Sequence, residues 1–391
     1  MGLPNVNIKI GNGNLGRVST SSDGVAGMVL TGVAVGDTLK LNTHYQLSSV
    51  RDLAALGVTE ENNPLVYKDV KAFYTQAGEG AELHILVVAE ATTLSQMTAI
   101  DAGAPLRRLL DAAGGRIRLV GINRSLPSEY TPTTTQGIDA DAISALQGAQ
   151  ALAEDYAAGM MPVRGFIPAP AWDDTSEDLF KPRSASCNRF ALVLASDDAT
   201  GKTAAIGQIL GRAAAVSVQI SIARVRDGAI AENGYFTNGK SVKDEAAKLD
   251  ELNDAGYVFY RTFPTLEGVY LNDDMTAAPE TDDYSNLNLG RVMDKVMLLS
   301  YKTYLTELMD NVEVDDNGRL PAEVCAYFEG LVKGAIGIAM DEEISGVTVY
   351  VNPDQNILAT STLVIEITIV PQGTLRKITV ELAFANPYKN S

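Results

Sequence analysis

The two ends of the chain share a pattern that limits how the chain can fold. Large apolar residues occupy every second position in both terminal segments: Val6, Ile8, Ile10, Ile378, Val380, Leu382 and Phe384. This alternation predicts a half-buried β-strand at each end. Each strand is set off by a glycine-containing connection, residues 11–16 and 371–373, and a strand without a partner can pair with another chain. Two interpretations stay open: each strand closes the sheet of its own domain, or each joins a neighbouring subunit.

Between the two ends, strands and helices alternate. The apolar patterns predict strands at residues 24–34, 82–88, 117–122, 163–168, 190–195 and 216–222. They predict helices at residues 45–57, 64–77, 139–158 and 202–214. Such alternation favours an α/β layer built on a largely parallel sheet.

The last third of the chain has a different pattern. Two long helices are predicted over residues 286–310 and 321–343, the second starting at a proline, and strands follow at 347–351 and 363–370. The fold class we expect is therefore mixed: a central α/β layer, a C-terminal α+β part, and extended strand arms at both termini.

The length of 391 residues is typical of two or three domains. We divide the chain at the changes of pattern. The expected units are an N-terminal arm 1–16, an N-terminal core part 17–100, an α/β domain 101–270, a C-terminal domain 271–373 and a C-terminal arm 374–391.

The charge of the chain narrows its function. A formal net charge of −18 opposes non-specific binding to nucleic acid or to an anionic membrane. No apolar run reaches the roughly 18 residues of a membrane span, and the N-terminus has no signal-peptide pattern. We expect a soluble protein made in the cytosol. Two isolated cysteines, Cys187 and Cys325, fit a reducing compartment, although the sequence leaves a disulfide between them open.

One segment invites a nucleotide-binding hypothesis. A predicted strand is followed by a loop, by Gly201-Lys202-Thr203 and by a predicted helix, which is the order of a phosphate-binding loop. However, Ser196 occupies a position where that motif has glycine, and Asp197 and Asp198 would repel phosphate oxygens. The simpler interpretation is an ordinary turn with Lys202 in solvent.

The other reactive residue types form no catalytic pattern. We expect His84 on the polar face of a strand and His44 in a polar loop, neither at metal-ligand spacing. The adjacent acids at 173–174, 273–274, 282–283, 315–316 and 341–343 are typical of solvated loops, and the sequence after Asp315 lacks the ligand spacing of an EF-hand. Trp172, the only tryptophan, is expected to be a packing residue. The chain is therefore expected not to be an enzyme and to need no cofactor or metal.

Taken in order, several segments resemble the tail sheath protein family of contractile phage tails and related injection systems. The matching segments are residues 6–11, 18–32, 53–57, 65–88, 249–259, 365–371 and 378–384. The most similar of them is 65–88, a helix, a glycine-rich turn and a strand. One departure follows Gly268-Val-Tyr-Leu, where the family usually has Trp-Gly-Ala-Arg-Thr and this chain has Asn272-Asp-Asp-Met-Thr276. The family's arginine, which contacts a neighbouring subunit, has no counterpart there.

The resemblance implies a structural subunit that polymerises helically around an inner tube and contracts to drive the tube through a target envelope. Its implied partners are further copies of itself, an inner tail tube protein, and baseplate and tail terminator proteins, with neither nucleic acid nor membrane insertion. The arms, about 1–16 and 374–391, would each add a strand to a neighbour. The tube-facing part would be the C-terminal α+β part, through either the helix 321–343 or the loop 352–356. The particle would be assembled in the host or producer cytoplasm and act in a virion tail or an injection particle.

Two alternatives from other classes remain. A nucleotide-binding enzyme would use Lys202 and Thr203. A surface-array or adhesin subunit would need an export signal, which the sequence does not show.

Overall fold

A computed structural model describes residues 22–127 and 130–385 of the chain. Its strands are β1 Ala26–Gly32, β2 His44–Leu47, β3 Leu83–Ala89, β4 Leu119–Asn123, β5 Thr134–Thr135, β6 Ile138–Asp139, β7 Arg164–Pro168, β8 Phe190–Val193, β9 Ala195–Ser196, β10 Tyr235–Phe236, β11 Tyr260–Arg261, β12 Tyr270–Leu271, β13 Ile344–Val351 and β14 Ile365–Pro371. Its helices are α1 Val50–Ala55, α2 Pro64–Ala77, α3 Leu94–Met97, α4 Pro105–Ala112, α5 Ala140–Ala158, α6 Ile206–Ala215, α7 Leu249–Ala255, α8 Leu287–Tyr304, α9 Ala322–Ala339 and α10 Ile357–Thr360.

The main sheet has six strands in the order β2-β3-β1-β4-β7-β8. Five of them run parallel, and only the edge strand β2 is antiparallel to its neighbour β3. Strands β1, β4 and β7 are buried along their whole length, as expected for a parallel sheet covered on both faces. The predicted α/β layer is therefore confirmed.

Two of the helices that cover this sheet pack so closely against each other that their contact requires a glycine. Helices α2 and α6 lie side by side, and a Cβ atom at Gly207 would lie 2.0 Å from the backbone oxygen of Asp69. Only a residue without a side chain permits this approach of the two backbones. Both helices then bury apolar side chains against the sheet.

The C-terminal part has its own small core. Helices α8 and α9 pack against each other, and α9 packs on the two-stranded antiparallel sheet β13–β14. One apolar cluster of this part consists of Val218, Val292, Val296, Val332, Ile336, Met340 and Ile344, and a second consists of Leu320, Cys325, Phe328 and Val351. The α+β end predicted from the sequence is confirmed.

Some predicted elements were wrong in extent or in kind. Residues 45–47 of the expected helix 45–57 belong to strand β2, and the helix itself is confined to Val50–Ala55. The alternating segment 216–222 forms turns instead of a strand, because Val218 packs in the C-terminal core while Ile222 belongs to the main core. The helix expected from Lys202 begins only at Ile206, and the two long C-terminal helices end earlier than predicted, at Tyr304 and Ala339.

Candidate functional site

The sheet β13–β14 has an open edge on each side. Its two strands pair only with each other among the described residues, in a register that sets Val347 opposite Ile369 and Val349 opposite Ile367. A sheet of two strands is marginally stable alone, and its unpaired edges can accept another strand. The only charged residue within the two strands is Glu366, so no lysine blocks either edge.

The two faces of this sheet differ. The side chains of Val347, Val349, Ile367 and Ile369 face the core around α9 but are only partly buried. On the other face, Tyr350 and Val370 are 50% and 54% exposed. The narrow sheet therefore leaves apolar surface that additional strands would cover.

The described part of the C-terminal arm, residues 374–385, does not belong to that sheet. The four alternating apolar side chains predicted to exchange, Ile378, Val380, Leu382 and Phe384, are 75%, 71%, 91% and 108% exposed. No strand is formed over residues 372–385. Among the described residues, the arm thus does not close a sheet of its own domain. Its exchange with a neighbour stays a prediction, and Val6, Ile8 and Ile10 of the N-terminal arm lie outside the described residues.

The base of the C-terminal arm makes contacts that the sequence analysis missed. The guanidinium of Arg376 binds the carboxylates of Asp273 and Asp274, at 2.8 and 3.2 Å. The adjacent acids were interpreted as a solvated loop, but Asp274 is 1% exposed. Their partner lies 103 residues from Asp273 and 102 from Asp274 in the sequence, so no local pattern could have identified it.

The nucleotide-binding hypothesis does not fit the loop after β9. Helix α6 begins at Ile206, so the residues Gly201, Lys202 and Thr203 do not open it as they would in a phosphate-binding loop. The carboxylate of Asp198 accepts hydrogen bonds from the Thr200 backbone N–H, at 2.8 Å, and from its hydroxyl.

The negative charge of Asp198 in the same loop opposes the binding of a phosphate group. Burial raises the pKa of Asp198, but the hydrogen bonds from Thr200 outweigh burial and hold the pKa below its usual value. The negatively charged carboxylate of Asp198 therefore already accepts the hydrogen bonds that a phosphate would need in this loop. Lys202 donates to the backbone oxygen of Tyr130 at 3.3 Å, and no feature of the loop supports nucleotide binding.

The histidines lie elsewhere than expected. His44 is in the edge strand β2, and His84 is 2% exposed instead of lying on a polar face. The two rings share a hydrogen bond of 2.7 Å between Nε2 and Nδ1, and His84 Nε2 lies 2.8 Å from Glu82. Burial, and then the neighbouring His84, lowers the pKa of His44. This chain of contacts ties β2 to β3.

The remaining candidates are structural. Trp172 is buried, as predicted, and its ring centre lies 5.0 Å from that of Phe236. Asp315 accepts backbone hydrogen bonds within its own turn. Cys187 and Cys325 are both free thiols and both buried. Across the described ranges, no group of three or more His, Cys, Asp or Glu side chains could hold a metal ion. None of the helices described is both long and apolar enough to cross a membrane.

Sequence comparison divides the chain into two matches. Residues 3–275 match the family described as DUF2586, N-terminal domain, and residues 283–389 match DUF2586, C-terminal domain. No curated protein matches the sequence.

Solved structures share the fold over nearly the whole chain. A chain of the anti-feeding prophage baseplate has a TM-score of 0.62 at 13% identity, covering 99% of this chain and 100% of its own. A chain of the contracted helical sheath of the same prophage has a TM-score of 0.59 at 14% identity, covering 98% and 99%. The sheath tail protein of Desulfitobacterium hafniense has a TM-score of 0.51 at 11% identity, covering 94% and 100%. At these identities the likeness establishes the fold.

Proposed function

This chain belongs to the DUF2586 family, and we propose that it is a structural subunit of a contractile sheath. The observation that carries the proposal is the full-length match to the fold of contracted sheath chains. The expected resemblance to tail sheath proteins agrees with that fold. Subunits would polymerise helically around an inner tube, and contraction would be a change of the whole lattice from an extended to a compact state.

The C-terminal arm and the open sheet β13–β14 supply the two halves of a subunit contact. The arm presents four exposed apolar side chains at every second position, and the sheet presents two edges that no other described strand pairs with. Burying a side chain of this kind contributes roughly 1.5–3 kcal/mol, so one arm would gain roughly 6–12 kcal/mol before the entropic cost of ordering it. Association costs about 4–15 kcal/mol, so several such contacts per subunit would together hold the polymer.

The contact we propose is heterologous, because the arm of one copy meets the sheet of another. Contacts of this kind build an open helix when the rotation between copies does not close a ring. The N-terminal arm, with Val6, Ile8 and Ile10, would make the second exchange. The energy of contraction would come from many such subunit contacts, so the mechanism needs no nucleotide.

The other partners of the subunit would be an inner tube protein and the baseplate and terminator proteins at the ends of the polymer. For the tube contact we favour helix α9 over the loop 352–356. A Cβ atom added at Gly330, Gly334 or Gly337 meets nothing within 4 Å, so a partner can approach the helix backbone there. Ile338 on the same helix is 88% exposed.

Assembly would take place in the cytoplasm of the producing cell, and the particle would act as a virion tail or an injection device.

Electron microscopy of the purified full-length chain tests the proposal. Negative staining should show hollow cylinders wider than a simple tail tube. Deleting residues 1–14 should give a folded monomer that does not polymerise. Replacing Ile378, Val380, Leu382 and Phe384 together by serine should do the same, because the arm then loses its apolar face.

A matched control alters the other face of the arm. Thr379→Ser with Glu381→Gln leaves the apolar positions intact and should polymerise like the unaltered chain. Normal cylinders from the deletion or from the serine variant would refute the arm contact. Tight ATP binding that is lost on Lys202→Ala would instead favour the nucleotide-binding enzyme.

A further inference from the structure

The described start of the chain and the base of the C-terminal arm both lie beside one helix, α8. Asp23, near the start of the described chain, lies with its carboxylate 2.8 Å from the Nζ atom of Lys295. At the other end of the chain, the side-chain amide of Asn288 donates to the hydroxyl of Thr374 at 3.3 Å. Arg291 donates to the backbone oxygen of Asp23 at 3.4 Å. Asn288, Arg291 and Lys295 are spaced at i, i+3 and i+7, so they lie on one face of α8.

The C-terminal arm is held at its base by a buried pair of acids. Arg376 bridges Asp273 and Asp274. The carboxylate of Asp274 also accepts hydrogen bonds from the side-chain amide of Asn286, at 3.1 Å, and from the backbone N–H of Asn288, at 3.3 Å. Asp274 therefore connects the first turn of α8 directly to the arm.

This arrangement depends on the cation of Arg376. Burial, and then the charge of Asp273, raises the pKa of Asp274 to about 7, and Arg376 opposes this rise. Without Arg376, two adjacent carboxylates would face each other with no cation from the arm. The arm base would then lose its ion pairs to the core.

Apolar burial does not hold the base of the arm. Leu375 is 83% exposed and Ile378 is 75% exposed. Residues 372–376 form one wall of a groove of about 1010 Å³ that continues over Arg224 and Arg261. Since the apolar side chains here face open space, the polar contacts of Thr374 and Arg376 decide the direction in which the arm leaves.

The same contacts reach the sheet β13–β14. Lys295 binds Glu343, the residue before β13, at 2.8 Å as well as Asp23. Gln372, just after β14, donates to the backbone oxygen of Glu342 at 2.8 Å. One helix face is thus joined to Asp23, to the base of the C-terminal arm and to the base of the sheet.

We propose that the α8 face formed by Asn288, Arg291 and Lys295, together with Asp273 and Asp274, is an anchor that fixes the direction of the C-terminal arm relative to the sheet β13–β14. Arg376 and Lys295 are its positioning residues. This inference rests on the proposed function, since it assigns the anchor a task in the exchange of arms between subunits.

The first test measures the arm in the full-length monomer at concentrations below assembly. Spin labels on cysteines introduced at Ile378 and Lys243, both exposed, report the distance from the arm to the core; the native cysteines are buried. Arg376→Ala should replace a narrow distance distribution by a broad one, and Arg376→Lys should restore part of the narrow one. Lys377→Ala, which removes a neighbouring exposed cation, is the control and should change nothing. Equal distributions for Arg376→Ala and Lys377→Ala would overturn the anchor.

The second test measures assembly. Lys295→Ala and Arg376→Ala should each raise the concentration needed for cylinders roughly tenfold, which corresponds to about 1.4 kcal/mol. Lys302→Ala, on the exposed surface of the same helix, is the control. The double variant Lys295→Ala with Arg376→Ala should raise the assembly concentration by less than the product of the two single increases, because both changes disturb one anchor.

The outcomes separate the two proposals. A double variant whose effect equals the product of the single effects would overturn the link through α8. If the unaltered chain forms no cylinders while Arg376→Ala broadens the distances, the proposed function fails and the anchor stands.

Discussion

A buried ion pair joins the main sheet to the C-terminal part, and removing its carboxylate gives a sharp stability prediction. Arg164, on β7, is 2% exposed. Its Nε atom lies 2.7 Å from Asp294 on α8, and its Nη2 atom lies 3.3 Å from the other carboxylate oxygen. Arg189 binds the same carboxylate at 3.3 Å. Asp294→Asn would leave two guanidinium groups without their counter-charge.

The structure sets the size of the effect. Breaking a buried ion pair by removing one partner costs about 3–5 kcal/mol. Arg164 keeps a hydrogen bond of 2.9 Å to the backbone oxygen of Asn188 and lies 5.5 Å from the ring centre of Tyr284. These two contacts place the expected loss at the lower end, about 3 kcal/mol, or roughly a hundredfold in the ratio of folded to unfolded protein.

Urea unfolding followed by the fluorescence of Trp172, the only tryptophan and a buried one, measures this loss. The control is Asp310→Asn, an exposed acid for which the described residues give no ion pair, and it should shift the free energy of unfolding by less than about 0.5 kcal/mol. Adding Arg164→Met to Asp294→Asn should recover part of the loss, since it removes the more deeply buried of the two cations. A loss below about 1 kcal/mol for Asp294→Asn would refute the reasoning.

Two further changes test the contact between α2 and α6. Gly207→Ala should lower the melting temperature, because overpacking costs about 1–3 kcal/mol; the same change at Gly330, an open helix position, should raise it. Burial raises the pKa of Asp69 to about 6. The folded protein therefore binds this proton more tightly than the unfolded chain, and acidification from pH 7 towards 4 is stabilising through this group. Asparagine does not titrate, so Asp69→Asn should remove that gain. The urea midpoint of the variant minus that of the unaltered chain should therefore be larger at pH 7 than at pH 4. If the difference between the two urea midpoints were the same at pH 4 and at pH 7, the raised pKa of Asp69 would be contradicted.

The candidate site was predictable only in part. The alternation that marks the C-terminal arm is readable from the sequence because a strand repeats every two residues, and the structure leaves those side chains exposed. The glycine, lysine and threonine at 201–203 follow a motif, yet helix α6 starts at Ile206 and the loop is occupied by Asp198. A motif gives the order of residues, whereas binding depends on where the backbone N–H groups point. The domain boundaries and the exchange of Val6, Ile8 and Ile10 stay predictions.

The sequence by itself determined most of the elements of this protein and its mixed fold class. Helix α2 from Pro64 and the strands β3 and β7 follow from local apolar patterns, which act over a few residues and so are written in neighbouring positions. The tertiary structure alone decided the contacts between distant positions. Arg164 meets Asp294 across 130 residues, and Arg376 meets Asp273 across 103. Such pairs form because packing of the sheet and helices excludes water and brings one compensating charge to another. No local pattern carries that information, so the contacts at the base of the C-terminal arm emerged only from the folded chain.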